Sequence, residues 1–403
     1  MKAISHFVDL WGARVLLALA LVLCVVGGLI TPYVLGVLGI ALLLWKMIDG
    51  SLWPTYRHPA AMALAAVFLT LVVSFSITAR HPQDVLFAFN FMMLILFAPF
   101  LSALGQRRSD RGSLNVARLA LLGALLSVVV ILVMIGFVGG RRSTSGLIGV
   151  IVLANTAVIL GFLALIGVGA DRGWWRWMYL LGPLAGVATV LLTQSRGPLI
   201  AIAPLSVGGA IFVARSLNIR WPFVAGGLFV ALLALAGWVI SLGGRMARLP
   251  GIFWGLLSGD ALRDRTTEYR LDLYQAAWQA YQQSPIIGHG WARIMKAAAP
   301  FLHTPKLAKL PQLHNDLADF AVASGLVGAL CYLALLATPI VAAVISVRDS
   351  QYRLRLYGCI VLSIAYFCDG LTDLMFGFEF HTALYVVILA ILLGYCRDRE
   401  AST

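Results

Sequence analysis

The residues best placed to do chemistry lie in one polar stretch, Gln312-Leu313-His314-Asn315-Asp316-Leu317-Ala318-Asp319. A long hydrophilic segment precedes it, and an apolar run from Phe320 to Val347 follows. His314 therefore stands where a helix leaves water and enters lipid. Asn315 is a good N-cap, and Asp316 and Asp319 put negative charge in the first turn. A histidine just before a helix N-terminus faces the positive end of the dipole, which favours the neutral imidazole. A neutral imidazole accepts protons, so His314 suits a general base. Taken alone, the same residues also describe a polar helix start with a surface histidine. From Asp316 to Ser346 is 31 residues, roughly 46 Å of helix at 1.5 Å per residue. That exceeds the hydrocarbon core, so the helix start is expected to stand above the bilayer, with a kink at Pro339.

A second set of chemistry-bearing residues is cationic. Arg141 and Arg142 sit in Gly139-Gly140-Arg141-Arg142-Ser143-Thr144-Ser145-Gly146, and Arg196 sits in Gln194-Ser195-Arg196-Gly197-Pro198. Glycines and hydroxyls beside arginine suit close approach to phosphate, because the guanidinium offers a planar fork of donors. The alternative is that these side chains reach lipid headgroups.

The elements that must position these residues follow from composition. Of 403 residues, 61% are hydrophobic and 12% charged, and the mean hydropathy is +0.92. A soluble domain carries about a quarter charged residues. The expected fold is an all-α polytopic membrane protein. Twelve apolar stretches succeed one another between residues 14 and 396, each near the ~20 residues that a span needs. Thr31-Pro32 is read as the tight turn between the first two. The chain divides into spans 1–9 over residues 1–242, a large external segment over 243–315, and spans 10–12 over 316–403. The net charge of +13 resides in loops, so anionic headgroups of membrane lipids or phosphate-bearing substrates are better partners for it than nucleic acid. The five cysteines form no C-x-x-C pair, and no disulfide framework or zinc site is implied. The first apolar stretch reads as a retained anchor rather than a cleaved signal.

Orientation follows from Lys and Arg. With the N-terminus in the cytoplasm, 17 of the 30 basic residues fall on the inside and 4 in short outside loops, with 9 in segment 243–315. Both termini are then cytoplasmic, and the long loop and His314 face outward, periplasmic in a Gram-negative inner membrane. The four outside arginines, Arg80, Arg141, Arg142 and Arg196, run against that gradient.

The external segment has a structure of its own. Thr266-Thr267-Glu268 reads as a helix start, and Leu271, Tyr274, Trp278 and Tyr281 line one helical face. That stripe suits the membrane surface, packing on the spans, or stacking on sugar rings. Ser284-Pro285 ends the helix, and Gly288-His289-Gly290-Trp291 forms a turn. Arg263, Arg265 and Arg270, with Lys306 and Lys309 further on, make the segment a basic cap. Asp369 and Asp373 lie four apart near the outer end of the eleventh span, either as solvated helix-end acids or as partners of His314 or an arginine. His289, His303 and His381 are read as external and too scattered for a metal site, with His303 as an auxiliary.

Three motifs together resemble the O-antigen ligase and polymerase superfamily. They are Gln194-Ser195-Arg196-Gly197, then Arg270 with Trp278 and Ser284-Pro285-Ile286-Ile287-Gly288-His289-Gly290, then His314-Asn315 followed nine residues later by Gly325-Leu326-Val327-Gly328. The resemblance extends over essentially the whole chain. It implies a GT-C-like bundle of about twelve spans with one large helical periplasmic loop. It implies a metal-independent, inverting glycosyltransferase without cofactor, moving O-antigen from undecaprenyl pyrophosphate to a sugar hydroxyl of lipid A–core in lipopolysaccharide synthesis. By the same resemblance, His314 is the base, and Arg196 and Arg265 hold the pyrophosphate. Arg141, Arg142, Arg263 or Arg270 would assist, with Asn315 and His303 at the site. An O-antigen polymerase or protein O-oligosaccharyltransferase is the alternative within the superfamily. A lipid-linked glycan transporter is the alternative outside it, but the spans lack the mid-membrane charges a transporter would show. The first external turn, Thr31-Pro32-Tyr33, carries no acid of the kind that metal-dependent lipid-linked transferases place there.

Overall fold

The computed structural model describes residues 13–138, 148–241 and 265–398. Every regular element among them is helical. In chain order the main helices are α1 (Ala13–Ile48), α2 (Pro59–Thr78), α3 (Pro82–Gly105), α4 (Gly112–Val138), α5 (Val150–Ala170), α6 (Trp174–Thr193), α7 (Leu199–Leu217) and α8 (Trp221–Ser241). Then come α9 (Arg265–Gln283), α10 (Asp316–Val344), α11 (Tyr352–Gly370) and α12 (Glu379–Tyr395). Eight of them, α1 to α7 and α10, are long and apolar enough to cross a bilayer, as expected of a polytopic membrane protein. The apolar stretches of α8 and α12 are shorter, and α11 carries Arg353, Arg355 and Asp369.

Burial follows sequence pattern. α5 is apolar on every face, and 83% of its apolar window is buried, against 33% for α4. An all-round apolar helix belongs in the centre of a bundle, whereas the outward leucines and valines of α4 meet lipid. The turn expected at Thr31-Pro32 is displaced. Gly28 takes φ 48° and interrupts the helix, and Thr31-Pro32 instead opens the next helical stretch, where proline's fixed φ and missing N–H cost nothing.

Contacts between connecting segments gather at two ends. At one end the Gln351 side chain accepts from the Ser113 N–H and hydroxyl and donates to Ser109 O and Asp398, while buried Arg355 binds Asp349 and the Cys396 carbonyl. At the other end, segments 194–198, 284–291, 312–315 and 371–378 meet.

Candidate active site

The site rests on a break in α10. Ser324 and Gly325 leave helical geometry, with Gly325 at φ 61°, so the 31-residue rod expected from the sequence is two pieces. A break within the bilayer frees backbone groups that must find partners. They find them in the turn after α9. The His289 N–H donates to Val322 O at 2.9 Å, the Gly290 N–H to Ala323 O at 2.8 Å, and the Leu326 N–H to Pro285 O at 2.7 Å. The P-x-x-G-x-G and G-x-x-G motifs are thus two halves of one clasp. It closes only because two glycines let backbone touch backbone. A Cβ on Gly288 (φ 71°) would lie 2.4 Å from the Ala323 carbonyl, and one on Gly325 would lie 2.4 Å from that of Ile286. Trp291 anchors the turn edge-on against Phe91 and Phe320, with ring centroids 5.0 and 5.4 Å apart. Gly288→Ala and Gly325→Ala should each destabilise the fold by about 2 kcal/mol or more, combining a left-handed backbone with a steric clash. Gly50, also at φ 71° but in open space, supplies the control. Gly50→Ala should cost only about 1 kcal/mol, so equal melting temperatures for all three variants in detergent would refute the clasp.

His314 sits on the turn before the upper piece of α10 with φ 57°, a left-handed conformation that a non-glycine residue holds only where its surroundings fix it. Three contacts do so. The Asn315 side chain accepts from the Ala318 N–H at 3.0 Å, the Asp319 N–H donates to Asn315 O at 2.8 Å, and the Asp319 carboxylate accepts from the Leu313 N–H at 3.0 Å. Asp319 is fully buried, so its role is to hold this turn rather than to display charge. Asp316, also fully buried, does the same for the opposing loop, accepting from the N–H groups of Met375 at 2.9 Å and Phe376 at 3.3 Å.

That loop carries Asp373. Its Oδ1 lies 3.4 Å from His314 Nδ1, with the two side chains 18% and 32% exposed. Gln312 Nε2 stands 3.4 Å from both. The distance exceeds a formed hydrogen bond, and catalytic hydrogen bonds commonly tighten once substrate is in place. With Nδ1 turned to a carboxylate, the proton of neutral imidazole resides there and the Nε2 lone pair is the free base.

The loop 371–373 also joins the other motifs. The Tyr274 hydroxyl of α9 donates to Leu371 O at 2.6 Å, and Arg270 Nη2 donates to Thr372 O at 3.3 Å. Burial pushes the Tyr274 hydroxyl above its usual range, against the pull of Arg270 and Asn315, which keeps it a donor. From α6, Gly197 packs so closely that a Cβ there would lie 2.5 Å from Thr372 Oγ1. The neighbouring Gln194 takes φ 56° at the C-cap of α6, turning the Ser195-Arg196 loop toward α11. The segment that carries Arg196, the Arg270 side chain and His314 are thereby gathered around three residues of one connection.

Several sequence expectations fall differently. Arg141, Arg142 and Arg263 lie outside the described residues, as does the side chain of Arg265, whose backbone begins α9. His303 is 79% exposed, with its ring 3.1 Å from Asp272, and none of its described contacts reaches His314. Asp272 is held below the usual carboxylate range: burial acts to raise it, but the N–H groups of His303 and Thr304 outweigh that. The expected stripe on α9 is split, with Tyr274 and Tyr281 partly buried against the core. Leu271 and Trp278 are exposed, and Leu273, Ala276, Ala277 and Ala280 pack inward. His381, expected outside, is buried in α12, and Asp369 is buried rather than solvated. Among the described residues, no three of His, Cys, Asp and Glu are grouped as metal ligands.

No curated protein matches this chain. The family model described as O-antigen ligase, Wzy_C, matches residues 181–333, less than the whole-chain extent expected from the motifs. All three motifs lie within those residues, and over them the chain is similar to the O-antigen ligase family.

Proposed function

We propose that this protein is a ligase-type glycosyltransferase that moves O-antigen from undecaprenyl pyrophosphate to a sugar hydroxyl of lipid A–core. The observation that carries the reading is the meeting of His314 and Asp373 where the Arg196 and Arg270 segments also converge. His314 Nε2 takes the proton of the acceptor hydroxyl. The freed oxygen attacks the anomeric carbon, and the bond from that carbon to the pyrophosphate oxygen breaks. A single displacement inverts the centre. Asp373 holds the ring and balances the imidazolium charge, as a third group does in other base-orienting arrangements. Pyrophosphate leaves with its charge held by Arg196 and Arg270, and by Arg265 with Arg141, Arg142 or Arg263. Cationic donors of that kind supply the electrostatic stabilisation a metal gives elsewhere. The acceptor is a weak nucleophile, which is why a positioned base matters.

This reading places twelve crossings in the inner membrane, counting α1 as two at Gly28 and including α8, α11 and α12, with the 243–315 loop periplasmic. It predicts that a cysteine at Ser109 is labelled only from the cytoplasm and one at Ala297 only from outside. The native cysteines are all buried, so background is low. Labelling of both from one side would sink the orientation. Activity is tested by deleting the gene. Loss of the lipopolysaccharide ladder with accumulation of polymer-length, lipid-linked O-antigen means ligase. An accumulating single repeat unit means polymerase, and an unchanged ladder removes both.

A further inference from the structure

At the end of the bundle opposite His314 lies a cavity of about 430 Å³ between the last turn of α1, the short helix Leu52–Tyr56, and the ends of α3 and α12. Four of its lining side chains are Lys46, His58, Arg108 and Arg397, and among the described residues no acid lines it. We propose that this cavity binds a phosphate group, that of an anionic membrane-lipid headgroup.

Lys46 carries the argument. It is 6% exposed, and among the described residues it makes no hydrogen bond, ion pair or ring contact. The side chain is packed by its neighbours, and what stays accessible of it lines the cavity. Burying a charge is costly unless it is paired. The acid three residues on, Asp49, accepts from the Ser51 hydroxyl, and Asp398, next to Arg397, binds Ser350 and Gln351. The position of Lys46 in the last turn of α1 gives it helix carbonyls nearby, a partial compensation that leaves net positive charge. His58 adds a donor. Its Nδ1 accepts from the Ala60 N–H at 3.2 Å, so the proton of its neutral ring is on Nε2 and available to an anion. Burial, and after it the charge of Arg397, holds His58 below the usual histidine range.

The surroundings favour a lipid over a free ion. Met47, Ile48 and Trp53, beside the cavity, are 57%, 72% and 73% exposed. Apolar surface with an outward tryptophan marks the headgroup level of a membrane, where phosphate is the prevailing anion.

The test uses the full-length protein in zwitterionic detergent, titrated with short-chain phosphatidylglycerol and separately with inorganic phosphate, and followed by thermal unfolding. The expected result is a saturable rise in melting temperature with the lipid. Lys46→Met should weaken the lipid effect about tenfold, the loss of one charge-assisted contact. Arg353→Met removes an exposed charge outside the cavity and should change nothing. Gly105 lines the cavity, and a Cβ there meets open space, so Gly105→Phe should fill the site while leaving every charge in place. It should abolish the response, and it decides the matter if Lys46→Met does not fold. Equal stabilisation by inorganic phosphate, lost in the same variants, supports the site with free phosphate as its ligand. The proposal is overturned if neither ligand stabilises, if Arg353→Met weakens binding as much as Lys46→Met, or if Gly105→Phe responds like the native protein.

Discussion

Replacing His314 with asparagine should lower transfer about 10²–10⁴-fold, the contribution of a positioned general base, while leaving folded protein in the membrane that still binds the lipid-linked donor. Asparagine is the better probe than alanine because it tolerates the left-handed backbone that His314 occupies at φ 57°. His314→Ala should lose as much activity, with some stability besides. Asp373→Ala should also lose activity. Because Asp373 meets the reaction through the ring 3.4 Å away, the double variant should be little worse than His314→Asn alone, as for residues that act as a unit. Independent, multiplying losses would mean that Asp373 touches substrate itself. The chemistry needs no metal in this reading, so EDTA should leave the reconstituted reaction unchanged. Native rates in His314→Asn, or EDTA inhibition reversed by a divalent ion, would each remove the histidine from the role of base.

The local half of this site was legible in the sequence. Asn315 was readable as an N-cap because its side chain acts on a residue three positions away. The Ser284-Pro285 stop marked the end of α9. What escaped was whatever depends on a partner distant in the chain. Asp369 and Asp373 were visible as a pair of acids with His314 as one of several partners, but which of the two meets it was not: Asp373 is the neighbour of His314, and Asp369 is buried. The G-x-x-G after Ser324 reads as part of an apolar helix, because the break needs the Pro285–Gly290 turn to satisfy it. On α9, hydropathy favoured the large Leu271 and Trp278, but the helix lies against the bundle through Ala276, Ala277 and Ala280. Alanine permits close approach without any strong pattern of its own. Asp316 and Asp319 look like dipole-facing surface acids. Their burial became readable only once the N–H groups of Leu313, Met375 and Phe376 were seen to converge on them.

Arg196 is the second residue whose loss should be large. Removing one preorganised donor from a developing negative charge costs about 10²–10³-fold, and Arg196→Ala should fall in that range. Arg196→Lys should recover little, because an ammonium cannot reproduce the planar fork that grips two phosphate oxygens. Full activity in the lysine variant would reduce the residue to generic surface charge. A stricter test asks whether position matters as well as charge. Gly197 rests against Thr372, and a Cβ added there would sit 2.5 Å from Oγ1 and 3.5 Å from Cβ of that threonine. Gly197→Ala must therefore push the 194–198 loop away from the 371–373 connection while retaining every arginine. A displacement of about 1 Å at a charged clamp can cost about 10²-fold. Thr372→Ala removes the clashing oxygen but keeps the carbonyl that Arg270 binds. The Gly197→Ala/Thr372→Ala pair should regain most of the activity that Gly197→Ala loses. If the double variant stays as slow as Gly197→Ala, contact with Thr372 is not what sets the position of Arg196. If Gly197→Ala is harmless, the loop need not hold that position for transfer to proceed.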